Sequence, residues 1–183
     1  MRPKPNRANM RGGIGEVDME LYTEDLLLRT VTMGDIREVA RMWEFEQGAI
    51  SMKEARAAIA YMQDDHTKNK GGCIVHLCFA VFEAGGKSII GWCGLDGKAE
   101  GKLHIFYLID AGYRNRGYAT QCAVRLLTYA FDDAHVPFVN GGCDKDNMAS
   151  RRVMEKAGMK QIAYEENGDP VFFIGGTGLR LQK

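Results

Sequence analysis

The sequence predicts a single α/β domain, mixed in topology, with a mostly antiparallel central sheet of about seven strands and about four flanking helices. Three consecutive apolar, β-rich runs joined by short glycine turns indicate an antiparallel meander. Capped amphipathic segments precede these runs, and a helix, a strand, a helix and a hairpin follow them. The predicted element order is β-α-α-β-β-β-α-β-α-β-β, and 183 residues suit one domain.

The first 19 residues carry two prolines and three glycines among polar and basic residues, without hydrophobic periodicity. This composition predicts a flexible basic leader over residues 1–19, followed by a single domain over residues 20–183. Within the domain, Leu26-Leu27-Leu28-Arg29 predicts the first strand.

Two helices are predicted after this strand from their starting residues. Thr32-x-x-Asp35 resembles a capping signal ahead of an amphipathic helix. Ser51-x-x-Glu54 is a capping box and predicts the start of a second helix. The meander then occupies residues 74–82, 88–95 and 103–109, which are apolar and β-rich.

The pattern changes after the meander. The sequence predicts a helix over residues 117–132, a strand over 138–141, a helix over 147–157 that Gly158 ends, and a hairpin over 159–174. Alternation of helix and strand favours a sheet with helices on its faces.

Composition excludes several classes of function. Lys and Arg number 24 and Asp and Glu also number 24, so the sequence has no overall charge that would attract nucleic acid or an anionic membrane. The five cysteines are odd in number and form no C-x-x-C pair, which argues against a disulfide framework and a zinc site and favours a reducing cytoplasm. The sequence shows no apolar run of about 18 residues, so we expect no membrane span. No metal is expected.

The most informative segment places a strand end, a basic loop and a helix start in immediate succession. The strand ends near Ile109, the loop carries Arg114 and Arg116, and Gly117 opens the helix. Free amides at a helix start, with the positive end of its dipole, favour an anion. The loop has no G-K-[ST] and no G-x-G-x-x-G, so the two commonest nucleotide motifs are excluded. A solvated turn with a helix cap remains the alternative from these residues alone.

A second motif follows about thirty residues later. The pair R-x-x-G-x-A, from Arg114 to Ala119, and N-x-x-S-x-x-V-M-E-K-x-G, from Asn147 to Gly158, resembles the GNAT acetyltransferases. The resemblance is closest to the ribosomal-protein-alanine N-acetyltransferase branch and covers residues 26–174.

This resemblance implies the GNAT acyltransferase fold, in which central strands splay apart and acetyl-CoA lies in the cleft. It implies that main-chain groups of three strand residues bind the pantetheine arm: Tyr107, Leu108 and Ile109. It implies that the amides of the following loop hold the pyrophosphate: Arg114, Asn115, Arg116, Gly117, Tyr118 and Ala119. Asn147 is expected to contact the cofactor beside the next helix.

The resemblance also suggests catalytic residues. Many relatives carry a tyrosine as proton donor where this chain has Met154, and Ser150 matches a serine used by the ribosomal branch. His104 occupies the position where relatives often have a glutamate base, and a water chain is the alternative base. Helix capping by Ser150 and packing of His104 are the structural alternatives.

The predicted function is acetyl transfer from acetyl-CoA to a primary amine, by direct attack, in a cytoplasmic monomer or homodimer. The acceptor is either a protein N-terminus or a small-molecule amine. The alternative is a sensor domain that binds acyl-CoA without turnover, since Met154 and His104 depart from the usual pattern.

Overall fold

The computed structural model describes residues 10–42, 49–98 and 101–176. Within this part of the chain, nine strands form one sheet and four α-helices cover it. The strands are β1 (Met10–Arg11), β2 (Glu20–Tyr22), β3 (Leu26–Arg29), β4 (His76–Glu83), β5 (Gly91–Asp96), β6 (His104–Ile109), β7 (Phe138–Gly142), β8 (Lys160–Tyr164) and β9 (Pro170–Gly175). The helices are α1 (Ile36–Met42), α2 (Met52–Thr67), α3 (Tyr118–Thr128) and α4 (Met148–Lys156).

The sheet order is β1-β2-β3-β4-β5-β6-β7-β9-β8, and β6 with β7 is the parallel pair in an otherwise antiparallel described sheet. The predicted fold class is therefore confirmed, with a strand count somewhat above the expected seven. Of the helices in the described residues, none is long and apolar enough to cross a membrane.

The additional strands lie at the N-terminal edge of the sheet. Met10 of β1 pairs with Leu21 of β2, and Leu21 pairs with Leu28 of β3. Met19 is 1% exposed, and its amide donates to the Thr30 hydroxyl at 3.1 Å. The sheet thus begins before residue 20, where the sequence predicted the domain to start. Residues 1–9 of the predicted leader lie outside the described residues.

Both predicted capping signals are present. In α2, Ser51 Oγ accepts from the Glu54 amide at 3.2 Å, and Glu54 Oε2 accepts from the Ser51 amide at 2.8 Å. The Thr32 and Asp35 pair makes the same reciprocal contact around a single 3₁₀ turn that leads into α1. These contacts satisfy amides that a helix start otherwise leaves open.

The two faces of the sheet bury separate apolar clusters. On one face, α3 and α4 cover β5, β6 and β7 through residues that include Leu126 and Met154. On the other face, α1 and α2 cover β4 and β5 through residues that include Val39, Ile59 and Trp92. Each fully buried side chain of this size contributes about 1.5–3 kcal/mol, so both helix pairs are firmly attached to the sheet.

The sheet splits between β6 and β7. Strand β6 pairs with β5 along its whole length, from Gly91 opposite Ile109 to Asp96 opposite His104. Its pairing with β7 is limited to His104 opposite Asn140. Beyond this point the two strands separate, which leaves one edge of β6 open within the sheet.

Candidate active site

Along the open edge of β6, the main-chain groups of every second residue face away from β5. The Leu103 carbonyl accepts from the Asn140 amide at 2.7 Å, so this phase of the strand faces β7. Because main-chain groups of a strand alternate in direction, the amides and carbonyls of Tyr107 and Ile109 face the same side. There β7 has separated from the strand, and these groups face the gap.

Leu108 is in the opposite phase. It lies opposite Trp92 of β5, and a Cβ added to Gly91 would stand 2.4 Å from the Leu108 carbonyl oxygen. Its main chain therefore belongs to the β5 ladder. This corrects the expectation that Leu108 offers main-chain hydrogen bonds to the cofactor, because the register directs those bonds away from the gap.

The loop after β6 ends in a bare helix start. Asn115 and Gly117 adopt left-handed conformations, with φ of 64° and 80°. The Gln121 amide donates to the Gly117 carbonyl at 3.0 Å. Among the described residues, no side chain caps α3. The amides of Tyr118 and Ala119 therefore lie at an uncapped positive helix end, and a Cβ at Gly117 would meet only open space within 4 Å.

The guanidinium groups of the loop are used to hold its shape. Arg114 Nε donates to the Ile109 carbonyl at 3.0 Å. Arg116 donates to Glu83 Oε1 at 3.3 Å, and the Tyr118 hydroxyl donates to the same oxygen at 2.8 Å. The Arg114 amide donates to the Ala111 carbonyl at 3.4 Å, so the amides from Asn115 to Ala119, rather than the arginine side chains, are the groups available at the helix start. Sequence analysis missed Glu83, because it lies on β4, far away in sequence.

The start of α4 brings three predicted site residues together. Asn147 Oδ1 accepts from the Ser150 amide at 3.0 Å and caps the helix. Ser150 Oγ lies 3.0 Å from the Tyr107 hydroxyl, which also lies 3.0 Å from the Ser150 carbonyl oxygen. Burial raises the pKa of Tyr107 to about 12, so its hydroxyl stays protonated near neutral pH. The Tyr107 side chain, for which sequence analysis predicted no role, therefore links β6 to α4.

Met154, at the position where many relatives carry a tyrosine, is a core residue. It is 1% exposed, and its sulfur would lie 2.8 Å from a Cβ added to Gly141 of β7. The methionine thus packs beneath β7 and offers no proton donor.

His104 lies on the other face of β6. It is opposite Asp96, which is opposite His76, so these three side chains form a row across β6, β5 and β4. Tyr107 is an odd number of residues away and points to the opposite face. The structure therefore does not bring His104 and Ser150 together on one face, although both border the split. The His104 imidazole makes no hydrogen bond or ion pair with another described residue.

A charged network flanks this row. Asp65 of α2 is 3% exposed, and its carboxylate contacts Lys98 at 2.7 Å and Lys68 at 3.0 Å. Burial raises the pKa of Asp65, but hydrogen bonds from the two lysines outweigh it, and the pKa is lowered overall. Burial, and secondarily Lys98, lowers the pKa of His76. We find no group of three or more His, Cys, Asp or Glu in the described residues that could hold a metal.

A sheet split beside an uncapped helix start is the arrangement that the resemblance to acyltransferases implied. A family model described as "Acetyltransferase (GNAT) domain" matches residues 25–160, and the chain belongs to this family. Among curated proteins it is 31% identical over 65 residues to "Uncharacterized N-acetyltransferase YnaD" of Bacillus subtilis (strain 168). That match spans 36% of this chain and 38% of the relative. The predicted family is confirmed.

Solved structures show the same fold. The ribosomal-protein-S5-alanine acetyltransferase from Vibrio fischeri aligns with a TM-score of 0.71 and 13% identity, over 86% of this chain and 96% of that one. The microcin C7 self-immunity acetyltransferase MccE, in complex with acetyl-CoA and AMP, aligns with a TM-score of 0.65 and 14% identity, over 84% and 93% of the two chains. At these identities the likeness establishes the fold.

Proposed function

We propose that this protein transfers the acetyl group of acetyl-CoA to a primary amine by direct attack. The observation that carries the proposal is the open edge of β6 beside the uncapped start of α3. When bound, acetyl-CoA supplies a thioester whose carbonyl the amine attacks, which yields an amide and a free thiol.

The residues of the gap fit such a ligand. An extended amide-containing arm can add to β6 as a strand, through the main-chain groups of Tyr107 and the amide of Ile109, whose carbonyl already accepts from Arg114. A pyrophosphate suits the amides from Asn115 to Ala119, because they lie at the positive end of an 11-residue helix, whereas the Arg114 amide donates to the Ala111 carbonyl. Gly117 leaves the space there open, so phosphate oxygens can approach the main chain. Asn147 retains its amide nitrogen for the ligand, since its oxygen is used by the cap.

Two residues at the split are assigned to proton transfer. We assign His104 as the base that takes the proton of the attacking amine, since its imidazole has no described partner and lies where β6 leaves β7. We assign Ser150 as the hydrogen-bond donor to the leaving sulfur. An α-amino group, with a pKa of about 7.7–8.0, needs less help than an alkyl amine near 10.4, so His104 suits a peptide N-terminus or an activated small amine.

The test is calorimetric titration of acetyl-CoA into the protein, followed by thiol release against a panel of N-terminal peptides and small amines. We expect saturable binding and thiol release that depends on the amine. His104→Gln should retain the binding and lose about 100-fold or more in turnover. The matched control is His135→Gln, a surface histidine that should turn over as the wild type does.

The outcomes separate the alternatives. Binding without thiol release from any amine would contradict the transferase and favour a non-catalytic acyl-CoA sensor. Absence of binding would contradict the assignment of the β6 edge and the α3 start.

A further inference from the structure

The Tyr107 hydroxyl has two acceptors on one residue. It lies 3.0 Å from the Ser150 carbonyl oxygen and 3.0 Å from Ser150 Oγ. A phenol has a single proton to donate, so Tyr107 donates either to the Ser150 carbonyl or to Ser150 Oγ. If the proton goes to the carbonyl, Ser150 donates its own proton back to Tyr107. If it goes to Ser150 Oγ, the serine proton is free for an acceptor outside the pair.

In the second arrangement, the Ser150 hydroxyl can donate to a group outside the pair. Ser150 stands in the first turn of α4, held by the Asn147 cap, so its backbone position is fixed. Tyr107 is fixed by the pairing of β6 with β5, opposite Cys93. Two rigid elements therefore hold the hydroxyl pair on the side of β6 that faces α4, next to the split.

We propose that Tyr107 is a positioning residue that turns the Ser150 hydroxyl proton towards the leaving sulfur, in place of a tyrosine on α4, where Met154 fills the core. The inference rests on the proposed acetyl transfer and names a further residue of that site. Tyr107 acts through Ser150 and does not itself touch the sulfur.

The balance of the step is simple. The bond between the amine nitrogen and the carbonyl carbon forms, the bond between that carbon and sulfur breaks, and its electron pair moves to sulfur. Ser150 donates a hydrogen bond to the sulfur as charge develops there. The proton that the sulfur finally carries is the one the amine loses, so Tyr107 and Ser150 end the reaction as they began.

The groups around the pair keep it a neutral donor. Cys93 of β5 lies opposite Tyr107, and both Cys93 and Cys122 of α3 are buried. Burial raises the pKa of Cys93 well above its usual value and also raises that of Cys143, beyond β7. Burial outweighs the nearby Arg151 of α4, which by itself lowers the pKa of Cys143. The thiols of Cys93 and Cys143 therefore stay protonated near neutral pH, and none competes with the sulfur for the serine proton.

The first test is kinetic. Tyr107→Phe removes only the hydroxyl, and we expect kcat to fall about 10-fold or more while KM for acetyl-CoA and amine stays within about twofold. The double variant Tyr107→Phe with Ser150→Ala should have a kcat only slightly below that of Tyr107→Phe, because both changes remove the same hydrogen-bond donor. The matched control is Tyr129→Phe, another buried tyrosine whose pKa burial raises to about 12, which should leave kcat unchanged.

The second test needs no turnover. A free thiol titrates near pH ~8.5, so an aligned donor should favour bound thiolate and tighten CoA binding as the pH rises from about 7 to about 9.5. Acetyl-CoA, which has no free thiol, is the matched control ligand, and its affinity should not increase with pH in this way. We expect Tyr107→Phe to abolish the gain for CoA and to leave acetyl-CoA affinity unchanged.

The outcomes distinguish this inference from the proposed function. Wild-type kcat and wild-type pH dependence of CoA binding in Tyr107→Phe would overturn the role of Tyr107 while leaving the transferase intact. Equal losses of acetyl-CoA affinity and of thermal stability would also overturn it, because they would show a purely structural contact. A wild-type protein that binds acetyl-CoA but acetylates no amine would instead contradict the proposed function.

Discussion

The helix starts on the two faces of the sheet differ in their capping. On the face of α1 and α2, the start of α2 is closed by the reciprocal contacts of Ser51 and Glu54. On the face of α3 and α4, α3 begins at Gly117 without a side-chain cap from any described residue. An uncapped start leaves donors unsatisfied, which costs stability unless water or a ligand accepts from them.

The polar groups of the two faces differ in the same way. Asp65 lies between two lysines, and His66 is buried with its Nε2 accepting from the Cys78 amide at 3.1 Å. By contrast, Gly117 borders open space, and the edge of β6 is unpaired beyond His104. The start of α2 is thus closed within the protein, whereas the start of α3 and the edge of β6 leave main-chain donors available for binding.

The largest expected effect is on binding at the bare helix start. Arg116→Glu with Gly117→Trp places a negative charge and a large ring where the anion is expected, and we predict a loss of acetyl-CoA affinity of about 100-fold or more. Titration calorimetry measures it, and circular dichroism checks that the fold is retained.

Gly72→Trp is the matched control. Gly72 also has a left-handed φ, 78°, and open space around its Cβ position, and its amide donates to Ala134, beyond the far end of α3. This variant shares the backbone strain and should bind acetyl-CoA normally. Equal loss of affinity in both variants would contradict the assignment of the α3 start.

Much of this contrast was already present in the sequence, because its signals are local. The capping residues of α2 lie three positions apart, and the glycine and arginines of the loop lie within a few residues of the helix that they precede. The split itself was implied by family resemblance. Strand alternation places Leu103, Tyr107 and Ile109 in one phase and Leu108 in the other, but which phase faces β5 is set by contacts between strands, such as that of Leu103 with Asn140.

The remaining contacts join residues that are distant in sequence. Tyr107 and Ser150 are 43 residues apart, and Glu83 and Tyr118 are 35 apart. No local pattern connects such pairs, because they depend on which strands become neighbours and in which register. The β1 pairing was missed for another reason, since its residues lie in a polar, glycine-rich segment that resembles a leader.

An effect of intermediate size concerns the pH dependence of stability on the α2 face. Burial lowers the pKa of His66 to about 4. An unfolded histidine binds a proton near pH ~6.5, so between ~6.5 and about 4 the unfolded chain holds more protons than the folded one. This contribution to stability is complete above the unfolded pKa and is lost as the pH falls to about 4, by ~3 kcal/mol.

Denaturant unfolding at several pH values measures this loss. His66→Gln keeps an acceptor for the Cys78 amide without a titrating ring, and we expect it to flatten the acid side of the profile. His135→Gln, the exposed control, should keep the wild-type slope. If His66→Gln retained the full acid loss, other groups of this face with lowered pKa values, Asp65 and His76, would have to be its source instead.

The smallest expected effect concerns the capped start of α2. Ser51→Ala opens the capped start of α2 and should lower the free energy of unfolding by about 1 kcal/mol, because the Glu54 amide loses its acceptor. Acetyl-CoA affinity should not change, because α2 lies on the opposite face from the start of α3. Ser88→Ala, at an exposed serine that caps no helix, is the control for loss of a hydroxyl. Stability equal to the wild type in Ser51→Ala, or weakened acetyl-CoA binding, would break the division between a stabilising face and a binding face.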